Sequence, residues 1–179
     1  MGECQHLTKY DDRKNKSVNK IYTQKELVAQ RKIWKQGHQK VVFTNGVFDI
    51  LHRGHVEYLN AAKKMGDILV VGINTNESVQ RIKGIKRPIV DEQDRVYIIS
   101  QLMCVNAVCL FSEDTPLQLI TALVPDILVK GADYSLENIV GKNIVEQSGG
   151  EVKTITLTPG RSSSNIIEII VQRFCGDGK

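Results

Sequence analysis

The 179-residue sequence has no Cys-x-x-Cys pair, only 4 prolines, a single tryptophan and an aromatic content of 6%. Its four cysteines, Cys4, Cys104, Cys109 and Cys175, have no histidine at metal-ligand spacing, so they read as small apolar residues or incidental thiols. No secretory hydrophobic segment lies near the N-terminus and no apolar run is long enough to span a bilayer. A reducing cytoplasm is the expected location, with no membrane partner. The formal charge of +4 is mild, and its Lys and Arg residues are scattered without interleaved aromatics, which argues against nucleic acid as a partner. Phosphorylated small molecules fit that charge equally well. Two phosphate-binding signatures are also missing. No GxGxxG follows the first strand and no GxxxxGK[ST] occurs anywhere, so a dinucleotide dehydrogenase and a P-loop kinase both lose ground.

What is present is an ordinary globular composition, 41% hydrophobic and 25% charged, in a length that suits one domain. Residues 1–20 are polar and aperiodic and are expected to be a flexible extension, leaving 21–175 as the folded domain. Thr23-x-x-Glu26 is a capping-box pattern that predicts a helix to about Gln36, stopped by Gly37. Short apolar runs then alternate with helical stretches. Strands are expected at Val41–Thr44, Asp67–Ile73, Ala107–Phe111, Asp126–Val129 and Val152–Leu157. Runs apolar on both faces and separated by helices predict an α/β fold, a Rossmann-like parallel five-stranded sheet with helices on both faces. Such sheets bind ligands beyond the carboxyl ends of their strands. The loops after the first, second, fourth and fifth strands should therefore meet at one edge.

The stretch around which the chain is organised is Val41 to His55, VVFTNGVFDILHRGH. A buried strand runs into a polar turn, then His52 and His55, then a helix. Two imidazoles three residues apart at a helix N-terminus point the same way and can donate hydrogen bonds to phosphates. Gly54 between them would let a ligand approach the backbone. A surface histidine pair, or a zinc pair lacking a third ligand, is the plainer alternative. Lys83, Lys86 and Arg87 crowd a loop that reads either as a solvated face or as a phosphate contact. Ser162-Ser163-Ser164 precedes the last helix and can cap it or cradle a phosphate.

TNGVFDILHRGH resembles the TxGxFDxxHxGH signature of the nucleotidyltransferase superfamily. NTNESVQRIKGIKRPI, DEQDR at 91–95, SEDTPLQLI at 112–120, PDILVKGADY at 125–134 and PGRSSSNII at 159–167 further resemble the heptose 1-phosphate adenylyltransferases of ADP-heptose biosynthesis. The similarity covers roughly residues 20–173. Those enzymes are often the C-terminal half of a bifunctional kinase–adenylyltransferase, and this chain looks like a stand-alone version. The resemblance implies transfer of AMP from ATP to a heptose 1-phosphate, with Mg²⁺ bound mainly through ATP, and a homodimer. It assigns catalysis to His52, His55 and Lys83. It assigns nucleotide contacts to Thr44, Asn45, Gly46, Phe48, Gly54, His55, Lys130, Gly131, Asp133, Ser162, Ser163 and Ser164. Asp49, Arg87 and Arg95 fall on the substrate side; Arg95 has an equally weighted reading as an exposed helical arginine paired with Asp91. Two departures stand out. Leu157 and Asn165 occupy places where cytidylyltransferases carry Arg and Lys, with Arg161 as a partial substitute for that charge. Glycerol-3-phosphate cytidylyltransferase, an FAD synthetase-type enzyme and a non-catalytic nucleotide-binding module remain the alternatives.

Overall fold

The computed structural model describes residues 20–132 and 136–174. Alternation within each strand sets the architecture. In β2 (Val41–Gly46), Val41 and Phe43 join one buried cluster while Val42 joins the other. β3 (Ile68–Asn74) splits in the same way, Ile68 and Val70 against Leu69, Val71 and Ile73. Because both faces must leave water, the strands carry no polar alternation. The remaining strands are β1 (Ile21–Tyr22), β4 (Ala107–Phe111), β5 (Ile127–Gly131) and β6 (Glu151–Ile155). All pairs are parallel, and the spatial order is β1-β4-β3-β2-β5-β6.

One face is covered by α1 (Gln24–Gln36), α5 (Leu117–Leu123) and α6 (Lys142–Gln147), through Leu27, Trp34, Leu119, Ile120, Leu123 and Val145. The other is covered by α2 (Arg53–Lys63) and α4 (Glu92–Ser100), through Tyr58, Leu59, Ala62, Val96 and Ile99. α3 (Asn76–Lys83) follows β3, and α7 (Ser163–Phe174) follows β6 and buries none of its residues. The expected capping box is formed: Glu26 N donates to Thr23 Oγ1 at 3.3 Å and Thr23 N to Glu26 Oε2 at 2.9 Å. No helix among the described residues is long and apolar enough to cross a membrane.

The sheet is doubly wound as expected, with six strands in place of five. β1 pairs Ile21 with Val108 and Tyr22 with Cys109. Val108 N donates to the Lys20 carbonyl at 2.7 Å. Two residues are too few to show a period of 2, so this strand exists only through its partner.

The chain winds outward from β2 through β3 to β4, then returns to β5 on the other side of β2. At the entry end of that reversal, β2 and β5 are pinned together. Val41 N donates to Asp126 Oδ2 at 2.7 Å, and Asp126 N donates to the Val41 carbonyl at 3.0 Å. Arg31 donates to Asp126 Oδ1 at 3.0 Å and to the Leu123 and Val124 carbonyls. The exit ends of the two strands bound the site described next. Asp126→Ala removes the carboxylate shared by Val41 N and Arg31, which is 8% exposed and keeps only the two carbonyls. The expected cost is about 2–3 kcal/mol, seen in urea titration as a lower midpoint with an unchanged slope.

Candidate active site

The site begins where β2 stops being a strand. Phe48 (φ 50°) and Ile50 (φ 23°) adopt left-handed backbone that non-glycine residues seldom occupy. Asp49 between them holds the bend. Its carboxylate accepts from Ile89 N at 3.1 and 3.0 Å, from Val90 N at 2.9 Å, from Ile50 N at 3.1 Å and from Arg87 Nε at 2.9 Å. Burial acts to raise the Asp49 pKa; the Ile89 and Val90 amides together with Arg87 more than offset it and hold the carboxyl below its ordinary value. The Phe48 ring, fixed by this bend, meets the His55 ring edge-on with centroids 5.3 Å apart.

His52 occupies the cap position before α2 and His55 its first turn. The two imidazoles stack at 3.8 Å with 23° between their planes. The Nδ1 atom of each is buried without a partner among the described residues. Protonation would therefore put a second N–H where nothing accepts it. Burial is the main cause that lowers the His55 pKa to about 4, aided by the nearby charges of His52 and Lys83. His52 is lowered by burial and then by Arg161. Gly54 also makes room within the protein: a Cβ there would lie 3.1 Å from the His52 ring and 3.2 Å from Arg161 Cβ.

The segment after β6 closes over this pair. Thr158 Oγ1 donates to Glu57 Oε2 at 2.5 Å, tying the segment to α2. Ser162 Oγ accepts from Asn165 N at 3.0 Å, capping α7, and Ser163 Oγ donates to the Asp49 carbonyl at 3.0 Å. Two helix N-termini thus face one cavity of about 540 Å³. Free N–H groups and the positive ends of both helices favour an anion there. Lys83, Arg87 and Arg161 add positive side chains to its wall. Lys130 donates to Asn45 Oδ1 across the exit ends of β2 and β5.

Most of the residues expected at the site line this cavity: Asn45, Gly46, Phe48, Asp49, His52, Gly54, His55, Lys83, Arg87, Lys130, Gly131 and the three serines. Thr44 does not. It is fully buried, and its hydroxyl bonds the Tyr58 hydroxyl at 2.7 Å. Lys86 is not part of the wall either. Arg95 departs from both of its readings. It is 1% exposed rather than solvated, and it lies beneath the cavity rather than in it. Its guanidinium donates to the Val90 carbonyl at 3.0 Å, the Val47 carbonyl at 2.7 Å and Asn76 Oδ1 at 3.0 Å, so it positions loops from below. Asp91 takes Gln93 N and Asn76 Nδ2 instead. Asp49 and Arg87 reach the cavity bonded to each other, so the Asp49 carboxylate is spent on protein groups. Asp133 lies outside the described residues. The sequence reading missed Asn74 and the loop after β4, Asp114-Thr115-Pro116, which complete one wall. The rule that ligands sit at the carboxyl ends of parallel strands applies to that loop too.

Residues 43–169 match the family model described as cytidylyltransferase-like. The bifunctional protein HldE of Trichlorobacter lovleyi is 50% identical over 163 residues, which cover 91% of this chain and 32% of that protein. HldE of Citrifermentans bemidjiense is 56% identical over 136 residues, 76% of this chain and 28% of that one. The chain therefore spans about a third of the length of the curated relatives it matches. A lipopolysaccharide core biosynthesis protein from Thermoplasma volcanium, of known structure, is 35% identical with a TM-score of 0.56, covering 67% of this chain and 97% of that one. A pantoate-beta-alanine ligase from Francisella tularensis, 17% identical with a TM-score of 0.57 over 80% of this chain and 68% of that one, shares the fold.

The depressed histidine pKa has a measurable consequence. With a folded value of about 4 against 6.5, the unfolded chain binds more protons between those pH values. Stability from His55 is therefore complete above pH 6.5 and is lost as pH falls toward 4. Allowing for solvent screening of a half-buried ring, the loss should be about 1–2 kcal/mol. Urea titrations from pH 7 to 4.5 should show a smaller decline for His55→Gln than for the unaltered chain.

Proposed function

The chain belongs to the cytidylyltransferase-like family, and we propose that it transfers AMP from ATP to a heptose 1-phosphate, giving an ADP-heptose and pyrophosphate. The observation that carries this reading is the histidine stack at the start of α2 facing the serine-capped start of α7 across one cation-lined cavity. That arrangement suits a triphosphate. The likeness to HldE chains and to a lipopolysaccharide core biosynthesis protein supports a sugar phosphate as the acceptor.

In this reading a phosphate oxygen of the acceptor attacks the α-phosphorus of ATP, and pyrophosphate leaves in line on the opposite side. No covalent enzyme intermediate is needed. Catalysis then rests on positioning and on neutralising charge that builds on the phosphate oxygens. His52 and His55 donate hydrogen bonds to those oxygens. Both Nδ1 atoms are buried, so Nε2 is the nitrogen each ring offers. Nearby phosphate charge raises both histidine pKa values from their depressed state in the free protein. Lys83 and the serine segment hold the departing pyrophosphate. Arg87, clamped by Asp49, approaches the acceptor phosphate.

Mg²⁺ belongs to the proposal as part of the ATP substrate. The carboxylates on the wall, Asp49 and Asp114, are bonded to Arg87 and Arg81. Among the described residues no group of three or more metal-ligating side chains forms a cluster. These residues fit a cation that arrives on the triphosphate with water as its other ligands, where it screens phosphate charge. A homodimer and a cytoplasmic location belong to the same proposal, and light scattering after gel filtration tests the first.

Pyrophosphate release should be measured from ATP or CTP with heptose 1-phosphate, glycerol 3-phosphate and FMN in parallel. ATP with heptose 1-phosphate is expected to be the productive pair; CTP with glycerol 3-phosphate alone would overturn the assignment. His55→Ala should lower kcat by roughly 10²–10³ in a protein that still melts cooperatively, and near-normal turnover would remove the histidine from the mechanism.

A further inference from the structure

Asn74 is the last residue of β3 and is 4% exposed, yet it lines the cavity. Its amide is held in one orientation by proton bookkeeping. Ser78, fully buried in the first turn of α3, donates its single hydroxyl proton to the Glu113 carbonyl at 2.8 Å. Ser78 Oγ can then only accept, and it accepts from Asn74 Nδ2 at 2.9 Å. A flipped amide would set two oxygens against each other. Oδ1 is thus fixed at the other end of the amide, and no described residue donates to it. That oxygen is not sealed away with the buried unpaired atoms, so it stays open to the cavity and can accept from a donor that enters there.

The position of Asn74 indicates which substrate supplies that donor. Asn74 pairs with Phe111 of β4, on the side of β2 away from β5. Asp114 and Thr115, from the loop after β4, line the same cavity. The serine-capped end of α7, with Val140 and Leu157, lines it from segments that follow β5 and β6, strands on the other side of β2. A triphosphate seated on α7 and reached by Lys83 leaves Asn74 and the loop after β4 for the acceptor.

We propose that Asn74 is a specificity residue for the acceptor, its Oδ1 accepting a hydrogen bond from a hydroxyl on the acceptor's carbon skeleton. This rests on the nucleotidyl-transfer reading above and adds to it the recognition of a polyhydroxylated acceptor. Ser78 is the positioning residue that aims the amide. A site built around such an oxygen discriminates strongly against an analogue that lacks the hydroxyl.

The test is steady-state kinetics of the full chain and of Asn74→Ala, with ATP, using heptose 1-phosphate, its monodeoxy derivatives and glycerol 3-phosphate. For Asn74→Ala, kcat/KM for the heptose phosphate should fall roughly 10–100-fold while KM for ATP stays within about two-fold. One monodeoxy derivative should be poor for the unaltered chain and lose nothing further in the variant, the signature of a direct contact. Ser78→Ala, which frees the amide to turn, should produce a smaller loss on the acceptor alone, and it serves if Asn74→Ala fails to fold. An unchanged acceptor kcat/KM, or equal losses for ATP and acceptor, would overturn the role of Asn74 while leaving the activity standing. Turnover of glycerol 3-phosphate but not heptose 1-phosphate would remove the heptose assignment, and the Asn74 comparison is then read on glycerol 3-phosphate. No acceptor-dependent turnover with any of these compounds would overturn both.

Discussion

The buried carboxylate of Asp49 is the constraint from which the site's geometry follows. Its hydrogen bonds secure the turn in which Phe48 and Ile50 hold left-handed backbone. The residues from Arg87 to Val90 are drawn down onto the strand exit by two backbone amides and a guanidinium. The Asp49 carbonyl, left over from the same bend, accepts the Ser163 hydroxyl and fixes the start of α7. Arg95 repeats the arrangement from below, joining Val47, Val90 and Asn76. One carboxylate and one guanidinium, both shielded from water, thus set the distances between loops that are remote in sequence.

The second constraint is electrostatic. Two helix N-termini and several cationic side chains surround a pair of histidines that burial keeps neutral. Charged histidines would repel each other at 3.8 Å and would repel Lys83 and Arg161. Neutral rings avoid that penalty in the free protein. A bound anion would supply the negative charge that reverses the balance. Burial thus holds the histidines uncharged, while the surrounding helix dipoles and cations favour an anion.

The βα alternation was legible because strands buried on both faces must be apolar throughout, and the edges of Ala107–Phe111 coincide with the sequence pattern. The histidine pair was legible because a three-residue spacing at a helix start forces two rings together. Thr44, Arg95 and Asn74 were not legible, for a common reason. Each has a role set by a partner that the sequence places elsewhere: Tyr58 for Thr44, three separate loops for Arg95, and Ser78 with Glu113 for Asn74. Periodicity reports which way a side chain points relative to its own element and carries no record of which hydrogen-bond donor meets it there.

The sequence by itself determined the fold class, the turn that carries His52 and His55, and the kind of ligand such a turn attracts, because these depend on local spacing and burial. Only the tertiary structure decided that Asp49 serves the loops before any ligand, that Gly54 makes room for an imidazole, and that Asn74 turns an oxygen to the cavity. Those outcomes depend on long-range hydrogen-bond partners, and a buried polar group acts according to the partner it is given.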